Sequence, residues 1–320
     1  MTAESPPGPH ETRRAARVSV VMPFYDTPPE FLRQAIDSVM AQTCDAWELL
    51  LVDDGSTGEC AAVARSYASE FRPDVVCLEH HQRENRGQSA SRNLAIARAR
   101  GEFMAFLDSD DIWLPHALEE QVELLDAHPE VGMLYGNTLY WHSGSRDPAS
   151  RDPDYMPDLG IASGTVVDPP GFVPLFLRGR VAVPCPSAVA ARRAAVERVG
   201  GFVETAPRPN EDQFFFAKMG LHFPVLVSDR CWALYRQHGG SVSDPVSIAE
   251  RRENRKTFLN WLDDYALAQG IQDRSLRLAV SRELWNLRHP APARVIRTGR
   301  RLAHRILAGR SGTRQWQNAC

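Results

Sequence analysis

The apolar run Phe103-Met104-Ala105-Phe106-Leu107 stops abruptly in Asp108-Ser109-Asp110-Asp111. Five consecutive apolar residues read as a strand covered on both faces, the habit of a parallel sheet, so the acidic groups are delivered to a sheet edge. Three carboxylates within four residues repel one another. Solvent relieves that repulsion if the segment is an acidic turn before the helix expected near Pro115. At the mouth of a cleft, a divalent cation with oxygen ligands relieves it, and the segment is then a metal-diphosphate site.

Two further strands end in polar loops. Arg17 to Met22 leads into Pro23-Phe24-Tyr25-Asp26, and Trp47 to Val52 leads into Asp53-Asp54-Gly55-Ser56. Between them Phe31, Leu32, Ala35, Ile36, Val39 and Met40 recur at helical spacing, with Asp26 or Thr27 expected as the cap and Pro28 and Pro29 suited to the first turn. Val75 to Leu78 predicts a third strand, and Gln88 to Ala99 a helix stopped at Gly101. Helices alternating with short buried strands predict an α/β fold with a largely parallel central sheet, whose ligands sit beyond the carboxyl ends of the strands.

Eight segments in this order resemble the inverting glycosyltransferases of family 2, which have the GT-A fold. They are Val20 to Tyr25, Leu51 to Ser56, Asn85 to Asn93, Gly101-Glu102-Phe103, Asp108 to Asp111, Gly200-Gly201-Phe202, Asn210-Glu211-Asp212 and Tyr235-Arg236-Gln237-His238. The resemblance implies a nucleotide-sugar donor, Mn²⁺ or Mg²⁺, and transfer of one sugar to a saccharide or lipid-linked saccharide. It makes Asp110 the direct metal ligand, assisted by Asp111, with His238 reaching the metal or the diphosphate. Asp108 would contact the ribose or a metal-bound water. Pro23 and Tyr25 would wall the base, Asp54 would accept from its ring N–H, and Arg92 would lie near base or diphosphate. A ring imino donor favours a UDP- or dTDP-sugar. Asp212, with Glu211 as its adjacent substitute, would take the acceptor proton as general base.

Each assignment has a plainer alternative. Tyr25 can be loop packing, Asp54-Gly55 a simple turn, Arg92 a surface helix residue and His238 an ordinary packed imidazole. Glu211 and Asp212 can be helix N-terminal charge ahead of Phe214-Phe215-Phe216.

A net charge of −3 argues against a general nucleic-acid binder. The six cysteines show no C-x-x-C pairing and read as reduced thiols in a cytoplasmic protein. The polar, Pro-rich start lacks the apolar segment of a signal peptide, and no stretch approaches the ~18 apolar residues of a membrane span. Residues 1–16 are expected to be a disordered tail. The resemblance implies a glycosyltransferase domain over residues 17–245, with a nucleotide-sugar half over 17–135 and an acceptor half over 136–245. Residues 246–320 are expected to be a helical extension, basic at its end. The loop over 141–171 reads as acceptor-side or lid material, or as a plain surface insertion. Between 293 and 310, arginines interleave with Val295, Ile296, Leu302, Ile306 and Leu307. That pattern suits either peripheral contact with an anionic membrane face or a terminal helix packed on the domain.

Two other functions compete with glycosyl transfer. A sugar nucleotidyltransferase would need a Gly-rich phosphate loop where this chain has Pro23 to Pro28. A non-catalytic nucleotide- or carbohydrate-binding module would have no need of both Asp110 and Asp212. A nicotinamide dehydrogenase is disfavoured because no G-x-G-x-x-G follows Met22.

Overall fold

A computed structural model describes residues 15–142, 153–238 and 247–289. Residues 1–14 of the tail expected over 1–16, and the basic segment 293–310, lie outside the described residues. In chain order the elements begin β1 (Val18–Phe24), α1 (Pro29–Met40), β2 (Trp47–Asp53), α2 (Cys60–Glu70), β3 (Val75–Glu79), α3 (Gln88–Ile96), β4 (Phe103–Phe106), β5 (Ile112–Trp113) and α4 (Ala117–Ala127). There follow β6 (Met133–Trp141), β7 (Thr165–Val167), α5 (Phe172–Leu177), β8 (Val189–Arg192), α6 (Arg193–Arg198), α7 (Asp212–His222), β9 (Val225–Arg236), α8 (Ile248–Ala268) and α9 (Arg274–Arg288).

The strands form one sheet in the order β3-β2-β1-β4-β8-β6-β9-β5, with β7 also on β9. The first four are parallel, as predicted. Beyond β4 the sheet is mixed: β8 runs antiparallel to both β4 and β6, while β6 and β9 are parallel to each other. The sheet passes unbroken through the boundary predicted after residue 135, since β6 runs from Met133 to Trp141.

Alternation along the strands explains their unbroken apolar sequences. Leu49 and Leu51 of β2 face one core and Leu50 and Val52 the other; in β4, Phe103 and Ala105 oppose Met104 and Phe106 in the same way. Helices α1, α2 and α4 cover the first face. The second is covered by α5, α6 and α7 and by the α8–α9 hairpin, through Phe258, Leu259, Leu262, Leu276 and Val280. The hairpin helices are capped by Ser247, whose Oγ accepts from Glu250 N–H, and Asp273, which accepts from Leu276 N–H.

Strand β1 has β2 on one side and β4 on the other, so the chain reverses direction across the sheet there, and the loops after all three strands open on one crevice. The cap expected on α1 does not form. Pro28 precedes the helix, and Asp26 instead accepts the N–H groups of Thr57 and Gly58, while Thr27 Oγ1 bonds Ser109 Oγ at 2.7 Å. Both residues tie neighbouring site loops together. Among the described residues the five cysteines are free, and no helix is long and apolar enough to cross a membrane.

Candidate functional site

The crevice is a cleft of about 380 Å³. Pro23, Tyr25, Asp54, Arg92, Asp108, Asp110, Glu211, Asp212 and His238 all line it. Nine of the ten residues singled out from sequence are therefore brought together, and Asp111 is not.

On the β1–β2 side, Tyr25 holds half its surface in solvent beside Pro23. Asp54 is almost fully buried. Its Oδ1 accepts from Arg86 N–H at 2.8 Å, and its Oδ2 accepts from Gly87 N–H at 2.9 Å. It thus pins the start of α3 while lining the cleft. Arg92 is a buried residue, not a surface one: it is 1% exposed and donates to Asp108 Oδ1 at 2.7 Å. Burial works against its charge, but Asp108, Glu211 and Asp212 outweigh that cost and raise its pKa. Burial, countered by Arg92, raises the pKa of Asp108, and Asp110 adds to the rise.

The neighbouring motif residues hold this arrangement. Asn93 donates to Phe202 C=O and accepts from Phe202 N–H, which fastens the Gly200-Gly201 turn to α3. Phe202 then stacks on Phe215 at 4.2 Å and lies under the Arg92 guanidinium at 5.2 Å.

The three carboxylates after β4 have three fates. Asp108 pairs with Arg92. Asp110 faces the cleft, with its Oδ2 3.0 Å from His238 Nε2. Asp111 turns inward and is fully buried, taking Ser187 Oγ–H on Oδ2 at 2.5 Å and Arg236 N–H on Oδ1 at 3.0 Å. Burial, then Asp110 and Asp108, push its pKa well above the carboxylate range. The expected assisting role of Asp111 at a metal is therefore corrected: both its oxygens are committed beneath the cleft floor, and it braces the loop.

Two bracing residues were given no role from sequence. Ser187 accepts Asp108 N–H at 3.1 Å while donating to Asp111. Arg236 donates through Nε to Asp110 C=O at 2.7 Å and through Nη2 to Gln34, with its guanidinium 4.2 Å from the Phe31 ring and 4.6 Å from Trp141. Arg236 sat inside a recognised motif, so the signal was present but unread. Nothing near Ser187 in sequence marks it.

Across the cleft, Asp212 opens α7, whose phenylalanines Phe214 to Phe216 are buried. Burial, then Glu211, push the Asp212 pKa up to about 7 against the pull of Arg92. Glu211 is 5% exposed, and its Oε1 has no hydrogen-bond partner.

Among the described residues, no three or more His, Cys, Asp or Glu form a metal-holding group. Asp110 nonetheless fits a hard divalent cation of the Mg²⁺ or Mn²⁺ kind, which takes one or two carboxylates and completes its shell with substrate phosphate and water, and the His238 imidazole beside it adds a nitrogen within reach of the same ion. The cleft is compatible in charge with such an ion. Its lining carries Asp26, Asp54, Asp108, Asp110, Glu211 and Asp212 against Arg92 and Arg208, an excess of carboxylate that repels a bare diphosphate.

The solved structure of Staphylococcus aureus TarS residues 1–349 in complex with UDP-GlcNAc superposes with a TM-score of 0.57 at 21% identity, covering 76% of this chain and 65% of that one. The mannosyltransferase PcManGT from Pyrobaculum calidifontis, in complex with GDP-Man and Mn²⁺, gives a TM-score of 0.54 at 17% identity, covering 90% and 81%. At these identities the likeness establishes the fold, GT-A in type. The Escherichia coli UDP-Glc:alpha-D-GlcNAc-diphosphoundecaprenol beta-1,3-glucosyltransferase WfgD is 36% identical over 120 residues, which is 38% of this chain and 45% of that protein. The chain matches only 16%, 36% and 41% of the length of three further curated relatives. The sequence pattern of glycosyl transferase family 2 matches residues 19–199, more than half of the chain. The chain belongs to glycosyl transferase family 2.

Proposed function

We propose that the chain transfers a single sugar, with inversion, from a nucleoside-diphosphate sugar to a hydroxyl of a saccharide or lipid-linked saccharide. The observation that carries this reading is that one cleft is lined both by the Asp108–Asp110 loop and by Asp212, whose pKa burial and Glu211 push up to about 7. A carboxylate poised at that pKa takes a hydroxyl proton at neutral pH, as an inverting displacement requires.

Asp110 and His238 would hold Mn²⁺ or Mg²⁺, which neutralises the charge developing on the leaving diphosphate. Arg92 supplies fixed positive charge beside Asp108. Asp212 accepts the acceptor proton as the new bond to the anomeric carbon forms and the bond to the diphosphate breaks; Glu211 orients the same hydroxyl. Tyr25 and Pro23 flank the base, and the free lone pair of Asp54 receives its ring N–H, which favours uracil or thymine. The UDP-sugars named for TarS and WfgD support that preference, whereas the GDP-mannose of PcManGT keeps guanine open to test.

The segment after β1, Pro23 to Pro28, has no phosphate-cradling glycines, which weighs against a nucleotidyltransferase. A lipid-linked acceptor in polysaccharide assembly would bring the enzyme to the cytoplasmic membrane face, and sedimentation of 293–310 truncations with anionic liposomes tests that. The deciding experiment incubates the protein with UDP-, dTDP- and GDP-sugars, Mn²⁺ and a panel of saccharides, and follows nucleotide release and product configuration by NMR. Release of a nucleoside diphosphate with an inverted glycoside supports the reading; a nucleoside monophosphate or a retained configuration overturns it.

A further inference from the structure

The cleft that holds Asp212 also carries an aromatic surface, which the donor contacts proposed above leave unused. Strands β6 and β9 run parallel with Tyr140 opposite Tyr235 and Trp141 opposite Arg236. The pleat therefore sends Trp141 and Arg236 to the bracing side and both tyrosines to the cleft side, where they join its lining. Tyr235 meets the Tyr140 ring edge-on at 5.0 Å and 85°.

A third tyrosine completes the surface. Tyr155 is drawn to the end of β6 by a two-way main-chain bridge, with Tyr140 N–H to Tyr155 C=O at 2.9 Å and the reverse bond at 3.3 Å. Its ring stacks on Tyr140 at 4.7 Å and 19°, yet 48% of the residue is exposed. A large aromatic side chain fixed by backbone pairing and left half in water beside a polar cleft is suited to ligand contact. Val183, 46% exposed, and Pro184 extend the apolar lip.

We propose that Tyr140, Tyr155 and Tyr235 form a stacking platform for a neutral pyranose ring of the acceptor. The inference rests on the glycosyl-transfer reading above and adds the acceptor's chemistry to it. A pyranose offers a face of C–H groups and a rim of hydroxyls. Tyrosine offers a π-face and a hydroxyl, so one side chain meets both. The excess of carboxylates around the cleft selects against an anionic sugar at this position. Stacking there would also aim a hydroxyl of the ring along the cleft toward Asp212, which lines the same space.

Saturation-transfer NMR on the full chain with Mg²⁺ and UDP, using methyl β-D-glucopyranoside and methyl N-acetyl-β-D-glucosaminide as probes, tests the platform. Saturation is expected to be strongest at the ring C–H protons. Tyr155→Ala should weaken binding about fivefold, the loss of one stacking contact, while Tyr155→Phe retains it. UDP affinity should not change in either variant. Equal saturation in Tyr155→Ala and the parent chain, equal loss in both variants, or no saturation in a chain that binds Mg-UDP would each overturn the platform and leave the donor site standing. A parent chain that fails to bind Mg-UDP would overturn the underlying reading instead.

Discussion

Ser187 Oγ donates to Asp111 Oδ2 at 2.5 Å and simultaneously accepts Asp108 N–H at 3.1 Å, with both side chains fully buried. One hydroxyl thus ties the backbone at the start of the acidic loop and the carboxylate at its end to the segment before β8. Asp110, between them, is left facing the cleft.

Ser187→Ala should therefore act on stability and on binding together. It strands a buried carboxylate oxygen and a backbone N–H, at a cost of about 1–3 kcal/mol. Urea unfolding reads that loss, and titration with Mn²⁺ and UDP should show weakened binding as the loop relaxes. A variant as stable as the parent, or one that binds Mn-UDP equally well, would mean the loop is held by other contacts.

Asp212 links activity and stability to pH in opposite directions. With its folded pKa near 7 and an ordinary value of 3.8, the base is ionised only above about pH 7, so kcat/KM should rise through that value. Folding takes up a proton between those two values, so this group's contribution to stability is full below pH 3.8 and is lost as pH rises through about 7. Asp212→Asn should lose activity by roughly 10²–10⁴-fold. Relative to the parent it should gain stability with rising pH, by about 1–2 kcal/mol once solvent screening is allowed for. Parallel stability curves for the two proteins between pH 5 and 8 would refute the raised pKa.

Asp110→Asn and His238→Ala should each reduce Mn²⁺-dependent UDP affinity by at least about tenfold while leaving the metal-free signal unchanged. Asp111→Asn should instead lower stability, because its carboxylate lies within the fold and not in the cleft. Calorimetric titration with and without EDTA separates the two patterns. A metal effect lost only in Asp111→Asn would reverse the assignment of ligand and brace.

Strands β1, β2 and β4 were legible because both their faces are buried, which makes their apolar runs continuous. Helix α2 was not read: its core face is Ala61, Val63, Ala64 and Ala68, small residues that barely contrast with their surroundings. The insertion of β8 between β4 and β6 was also hidden, since a strand's neighbours are fixed by tertiary packing and its sequence reports only burial. In the site, the cluster Asp108 to Asp111 announced acidity but not direction. Three like carboxylates were sorted by Arg92, His238 and Ser187, partners between 16 and 128 residues away.

Gly55 is where local backbone and the proposed nucleotide recognition meet. It has φ +85, and a Cβ there would lie 2.6 Å from Arg83 C=O and 3.0 Å from Asn85 N. Those obstacles are main chain and cannot rotate away. The close approach lets Asp54 reach the N–H groups of Arg86 and Gly87 at the head of α3. Gly55→Ala should cost about 1–3 kcal/mol from the left-handed backbone and the contact together. Pushing residues 83–87 outward should also shift Asp54 from the position proposed for base recognition, so UDP should weaken more than Mg²⁺-dependent binding of diphosphate alone. Thermal unfolding with titrations of UDP and of inorganic pyrophosphate measures both. Equal weakening of the two ligands would place the damage at the phosphates and remove Asp54 from base recognition.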